Sequence, residues 1–232
     1  SAALHAHCVY LTGAGHIVEN SDIHHSESHG VHIYNQDGYG ADRIVVRNNK
    51  IHDNGSFGVM LSSGTGNIAY NNLIYSNNQR NNGSGGIRTY GGCVGCQILN
   101  NTVYGNTNYG IWVQDGYGGI VENNISYGNS VAAIVNDGAA TTLSNNLTAN
   151  PSFMNAGALD FRLSSGSSAI DGGMSLSSIL TTDFNGAPRS GAYDIGAFEY
   201  GASSQASSPV SAPTPPAPRR PLQRAERDSR RV

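Results

Sequence analysis

The sequence predicts an all-β solenoid, a right-handed parallel β-helix of about six or seven coils with a C-terminal cap. Three observations predict it. An Asn pair recurs at Asn48-Asn49, Asn71-Asn72, Asn100-Asn101, Asn123-Asn124 and Asn145-Asn146, with Asn20-Ser21 as a degenerate first copy, and its first residue advances by 28, 23, 29, 23 and 22 positions. A Gly-apolar-x-apolar element keeps step with it: Cys8-Val9-Tyr10-Leu11, Gly30-Val31-His32-Ile33, Gly58-Val59-Met60-Leu61, Gly86-Ile87-Arg88-Thr89, Gly110-Ile111-Trp112-Val113 and Ala132-Ala133-Ile134-Val135. Within each copy apolar residues sit at alternate positions, which is strand spacing, and no window carries the i, i+3, i+4, i+7 pattern of a helix. A unit this short cannot bury its apolar side alone. Each coil must stack on the next, strand on equivalent strand, in parallel.

In chain order, residues 1–12 hold the first strand and residues 16–34 the second coil. The intervals from Gly30 to Gly58 and from Gly58 to Gly86 are 28 residues, against 22 to 24 in the unexpanded coils. Their surpluses fall at 36–42 and 78–84. One follows and the other precedes the same strand, so together they are expected to wall a cleft over it. The pentapeptide Gln-Asp-Gly-Tyr-Gly of 36–40 returns at 114–118, which reads as a shared turn. The Asn pairs read as structural: stacked Asn amides bond to one another from coil to coil, and Asn tolerates the left-handed backbone such corners need.

From Ala149 the pattern changes, running through Pro151-Ser152-Phe153, Asp160-Phe161-Arg162-Leu163, Gly166-Ser167-Ser168-Ala169-Ile170-Asp171 and Asp194-Ile195-Gly196-Ala197-Phe198-Glu199. The Asn-Asn-x-Ile-x-x-Asn…Gly-Ile-x-Val coils resemble those of the bacterial right-handed parallel β-helix repeat proteins, over about residues 5–200, and this later segment is similar to the C-terminal segment of secreted members. The resemblance implies that Phe153, Phe161, Leu163, Ile170, Ile195 and Phe198 cover the open apolar end of the solenoid. Asp160, Asp171, Asp183 and Asp194, with Arg189, read either as active-site groups or, as favoured here, as hydrogen-bonding groups of the cap and one ion pair. The domains are then a β-helix at 1–200, its cap beginning near 149, and a disordered Ser/Pro/Ala-rich linker with a basic tail at 201–232. The fold hosts polysaccharide lyases, polygalacturonases, uronate epimerases, tailspikes and adhesins, so it does not by itself give the function.

Charge narrows the partners. Residues 1–200 carry 7 Lys+Arg against 14 Asp+Glu, which argues against a nucleic-acid ligand. No apolar run approaches membrane-spanning length. The chain starts inside a coil without a leader, as expected of a mature or truncated piece of a secreted or cell-surface protein, and a monomer is expected. Cys93 and Cys96 flank a Gly-rich turn where a disulfide is possible, and the inward Cys8 is expected to be a buried thiol.

The outward strand residues give the site. Stacked at about 4.8 Å per coil, they form three columns: Tyr10, His32, Met60, Arg88, Trp112, Ile134; then Thr12, Tyr34, Ser62, Tyr90, Gln114, Asn136; and His7, His29, Phe57, Gly85, Tyr109, Val131. Aromatics on a sheet face are what sugar rings stack on, and an Arg orients an acidic sugar. The competing account is an aromatic ladder that only steadies stacked strands, which fits the separate column His24, His52, Tyr75, Tyr104, Tyr127. The resemblance implies uronate lyase chemistry, in which a base takes the proton beside the carboxylate and a cation or Arg neutralises the charge. On that reading Arg88, His32, His29, Tyr34 and Tyr90 are the candidate catalytic residues. Tyr10, Phe57, Tyr109, Trp112 and Gln114 would bind polysaccharide, and Glu27 and Asp37 would hold Ca2+ if one is used. The alternatives are a non-catalytic glycan-binding or adhesion module and a purely structural solenoid. The spacing His5-Ala6-His7 lies at a start expected to fray and carries little weight as a motif.

Overall fold

The computed structural model describes residues 6–202; all but the first two residues of the linker and basic tail expected at 201–232 lie outside them, as does His5. Three parallel sheets run the length of a β-helix. The site sheet stacks Val9–Leu11, Val31–Ile33, Val59–Ser62, Gly85–Tyr90, Tyr109–Val113 and Ala132–Asn136. The second sheet stacks Ile17–Glu19, Val45–Arg47, Ile68–Tyr70, Gln97–Leu99, Ile120–Glu122 and Thr142–Ser144. The third stacks Asp22–His24, Lys50–His52, Leu73–Tyr75, Thr102–Tyr104 and Ile125–Tyr127. Every pairing between coils is parallel, and the winding is right-handed. Inward residues of all three sheets, among them Ile33, Leu61, Ile87, Val46, Ile98, Ile51 and Ile74, form one continuous core.

The Asn pair divides its labour. The first Asn of each pair takes the left-handed backbone at the corner between the second and third sheets: φ is 53° at Asn48, 51° at Asn71, 46° at Asn100, 56° at Asn123 and 48° at Asn145. The second Asn points inward. Its Nδ2 donates to Oδ1 of the next coil from Asn49 through Asn72, Asn101 and Asn124 to Asn146, at 2.9 to 3.0 Å. A second ladder at the corner before the site sheet runs Asn54, Asn77, Asn106, Asn129 at the same spacing. Gly30 and Gly58 must be glycines because a Cβ at either would strike Asn54 or Asn77 of that ladder and the backbone of the next coil.

Four expectations are corrected. The C-terminal segment lies along the flank of the stack rather than across its end. Phe161 and Phe198 pack on the outward Leu73 and Tyr75, Tyr193 on Tyr70 and Leu99, and Ile195 on Ile125, while Leu143 of the last coil stays 41% exposed. The first Asn of the pairs holds it there. Asn71 donates to the carbonyl of Thr182, Asn100 to those of Asp194 and Gly196, Asn123 to Met174 and Asn145 to Gly172. Cys8 is exposed, because only one described coil covers it. The last coil is shifted by one: Trp112 pairs with Val135 and Tyr109 with Ala132, since either Ala132 or Ala133 can stand for the glycine and the register selects Ala133. The insertion at 78–84 lies back over Asn54, Gly55 and Ser56 instead of walling the site sheet.

Two of the four acids, Asp183 and Asp194, accept hydrogen bonds within the segment, while Asp171 is exposed and, among the described residues, joins only through its backbone N–H. Asp183 accepts from the backbone of Asn185, Ala187 and Glu199, and Asp194 from Asp171 and Tyr200. Buried Arg189 pairs with Glu199 at 2.8 Å and also donates to Asn71 and the Gly196 carbonyl. Asp160, by contrast, makes a surface pair with Arg162. Cys93 and Cys96 form a disulfide. Among the described residues no helix is long and apolar enough to cross a membrane.

Candidate functional site

A cleft of about 980 Å3 opens over the first four strands of the site sheet, lined among others by His7, Tyr10, His29, His32, Tyr34, Asp37, Arg88 and Tyr90. The strand register builds it. Val9 pairs with Val31 and Tyr10 with His32, so His7 falls beside His29 one coil on; their rings stack in parallel, centroids 5.1 Å apart. His32 stands edge-on to both, at 4.6 Å from His7 and 5.0 Å from His29. One nitrogen from each of the three rings lies within 4.8 Å of the others. Tyr10 meets His32 edge-on and Tyr34 stacks beside it, at 5.2 and 5.6 Å. The insertion at 36–42 contributes a wall: a 3-10 turn, Gln36–Gly38, brings Gln36 to the Tyr10 hydroxyl, which donates to it at 2.8 Å.

Two coils further on, Arg88 forms the opposite end. Its guanidinium carbon lies 4.5 Å from the Tyr90 ring centre, 4.7 Å from Trp112 and 5.5 Å from Phe57. Burial lowers its pKa, while Tyr90 and Asp115 oppose that shift. Its Nε is buried without a hydrogen-bond partner among the described residues. Among the described residues Arg88 is held by ring faces and makes no ion pair, an arrangement chemically suited to an anion.

The structure therefore brings Arg88, His32, His29, Tyr34, Tyr90 and Tyr10 into one site. Phe57 is only 1% exposed and cannot stack on a sugar; it lies under Arg88, with Met60 and Ser62 forming a floor that alternation alone assigned to solvent. Tyr109 and Trp112 face each other at 4.6 Å and, with Gln114, lie on the coil beyond Arg88, outside the residues that line the cleft. The Trp112 indole donates to Asp137 at 3.0 Å. Glu27 and Asp37 are not brought together. Glu27 lines a separate depression with Asp53 and Arg80 at the corner before the strand, and Asp37 lies beyond its far end, so the pair does not fit one shared cation. His7 and Ser62 were missed. His7 stands in the same column as His29, the signal that points to it, and its position near the start of the chain obscures that signal.

A family model described as "Right handed beta helix region" matches residues 2–148. Among solved structures, a crystal structure of pectate lyase Pel9A is similar at 18% identity and a TM-score of 0.49, covering 83% of this chain and 67% of that one. No curated protein matches.

Proposed function

The chain belongs to the right-handed β-helix family, and from that premise we propose that it acts on a uronic-acid-containing polysaccharide laid along the cleft, by β-elimination. The observation that carries this reading is Arg88: a half-buried guanidinium, braced by three aromatic rings, at the end of a cleft rich in tyrosine and histidine. In the proposed reaction Arg88 pairs with the uronate carboxylate and stabilises the negative charge that develops when the neighbouring C–H bond breaks. The electron pair forms the new C=C bond as the glycosidic C–O bond breaks, and the departing oxygen takes up a proton. Tyr90 beside Arg88 and His32 across the cleft are the groups available to move that proton, with Tyr34 and His29 flanking them. Tyr10 supplies a stacking surface. A secreted or cell-surface location is supported by the Cys93–Cys96 disulfide, since such bonds persist in oxidising compartments.

The test is ultraviolet absorbance of the unsaturated product with pectate, alginate, chondroitin and hyaluronan, in calcium-containing and chelated buffers. A product formed by the wild type and lost in Arg88→Ala with the fold intact supports a lyase and names its substrate class. A flat trace across the panel with retained binding rejects elimination and leaves the second reading, a glycan-binding module. That reading is favoured by the Tyr109–Trp112 pair outside the cleft, and it expects affinity to fall chiefly in Trp112→Ala and Tyr109→Ala.

A further inference from the structure

Three histidine nitrogens converging in a cleft suggest a metal site, yet the hydrogen bonds at the other ring nitrogens specify something different. The backbone N–H of His29 donates to His7 Nδ1 at 3.2 Å, and that of Phe57 donates to His29 Nδ1 at 3.2 Å. An amide N–H can only donate, so both rings must offer a lone pair at Nδ1, and a neutral ring then carries its proton on Nε2. His7 Nε2 lies 3.2 Å from His32 Nδ1. With the proton on His7, His32 Nδ1 is the acceptor, and the His32 proton sits on Nε2, 3.2 Å from Ser62 Oγ.

We infer that His7, His32 and Ser62 form a directed hydrogen-bond chain, in which His7 is a positioning residue that fixes His32 as a donor toward the floor of the cleft. The direction is set by the backbone. It originates in the register that places His7 beside His29, one coil apart. The amide donors take up the Nδ1 lone pairs of His7 and His29, so a divalent ion at Nε2 of either ring would need a lone pair where the neutral ring carries its proton, whereas a ligating histidine ordinarily donates its second N–H outward. Within the lyase reading, on which this one consequence rests, His32 cannot be the base. Tyr90 is then the group left to take the proton from the carbon beside the carboxylate and to return it to the departing oxygen, so atoms and charge balance over the cycle. The tautomers themselves do not rest on that reading.

The experiment is long-range proton–nitrogen correlation on the full chain with nitrogen-15-labelled histidine, which separates the two neutral tautomers ring by ring. All three rings are expected as Nε2–H in the wild type. His7→Ala should release His32 into a tautomer mixture while leaving His29 unchanged, and His7→Gln, which restores a donor at the same reach, should return the single tautomer. Nδ1–H at His32 in the wild type overturns the inference, as does one equivalent of Zn2+ shifting all three rings together. Expected tautomers in a protein that forms no unsaturated product would sink the lyase reading and leave the chain standing.

Discussion

Two aromatic columns run up the outside of this solenoid and meet opposite fates. On the third sheet, His24, His52, Tyr75, Tyr104 and Tyr127 pair in register, with His52 and Tyr75 stacked at 4.7 Å. There the C-terminal segment lays Phe161 against Tyr75 and Tyr104, both at 5.3 Å, and Phe153 against Tyr104. Tyr75 ends 6% exposed, whereas Tyr10, Tyr34 and Tyr90 on the site sheet remain 39% to 43% exposed around an open cleft. Outward aromatics thus do not mark a site by themselves. What decides is whether the chain supplies its own cover, and among the described residues the C-terminal segment covers the third sheet and leaves the site sheet open.

The contrast is open to attack from the covered side first. Arg189→Ala removes the cation that ties the segment to the flank and leaves Glu199 buried without its partner, so stability should fall by about 3–5 kcal/mol in urea unfolding. Phe161→Ala opens a cavity over Tyr75 and Tyr104 and should also lose about 3–5 kcal/mol. If Phe161→Ala instead changed nothing, the covered column would be no more structural than the open one. On the open side, Arg88→Ala gives up ring contacts worth about 1 kcal/mol in unfolding, and under the proposed elimination it should abolish turnover and weaken uronate binding. A large loss of stability there would make the cleft a structural device instead.

The smallest effect is on titration. Burial, with Asp22 and Asp53 nearby, pushes Tyr75 from the ordinary 10.0 up to about 12. Its neutral phenol therefore contributes stability that is complete below pH 10 and is lost as pH rises toward about 12. Alkaline unfolding curves of Tyr75→Phe should diverge from wild type only within that window, and ultraviolet titration should lose a phenol ionising near about 12.

Much of this was legible in the sequence because the devices that set the fold repeat in place. The Asn pairs fix one corner, Asn54 and Asn77 the next, and the glycines before the site-sheet strands leave room for that second ladder. The columns that put Arg88, His32, His29, Tyr34 and Tyr90 on one face followed from alternation alone. What escaped depends on contacts between coils or from afar. Ala132-Ala133 offers two equivalent registers, and only pairing to Gly110 separates them. Phe57 occupies an outward position yet is buried by Arg88 and its neighbours. The apolar residues after Ala149 suit an open end as well as a flank, and the choice is made by polar groups at the corner, 51 residues away for Asn123 and 111 for Asn71. The pentapeptide at 36–40 and 114–118 is a further lesson. The first copy makes a 3-10 turn at the cleft, while in the second Gly116–Tyr117 pairs as a strand with Cys93–Val94, so identical residues adopt the form their coil requires.

The grip of the C-terminal segment on Asn71, Asn100, Asn123 and Asn145 has a consequence for how such a chain changes length. A free-standing stack gains or loses a turn at little penalty, since each layer answers only to its neighbours. Here four successive layers are read at once by one tether, whose contact points match their spacing. The tether acts as a gauge: it counts layers, and a duplication or deletion between Asn71 and Asn145 would throw every later contact out of step.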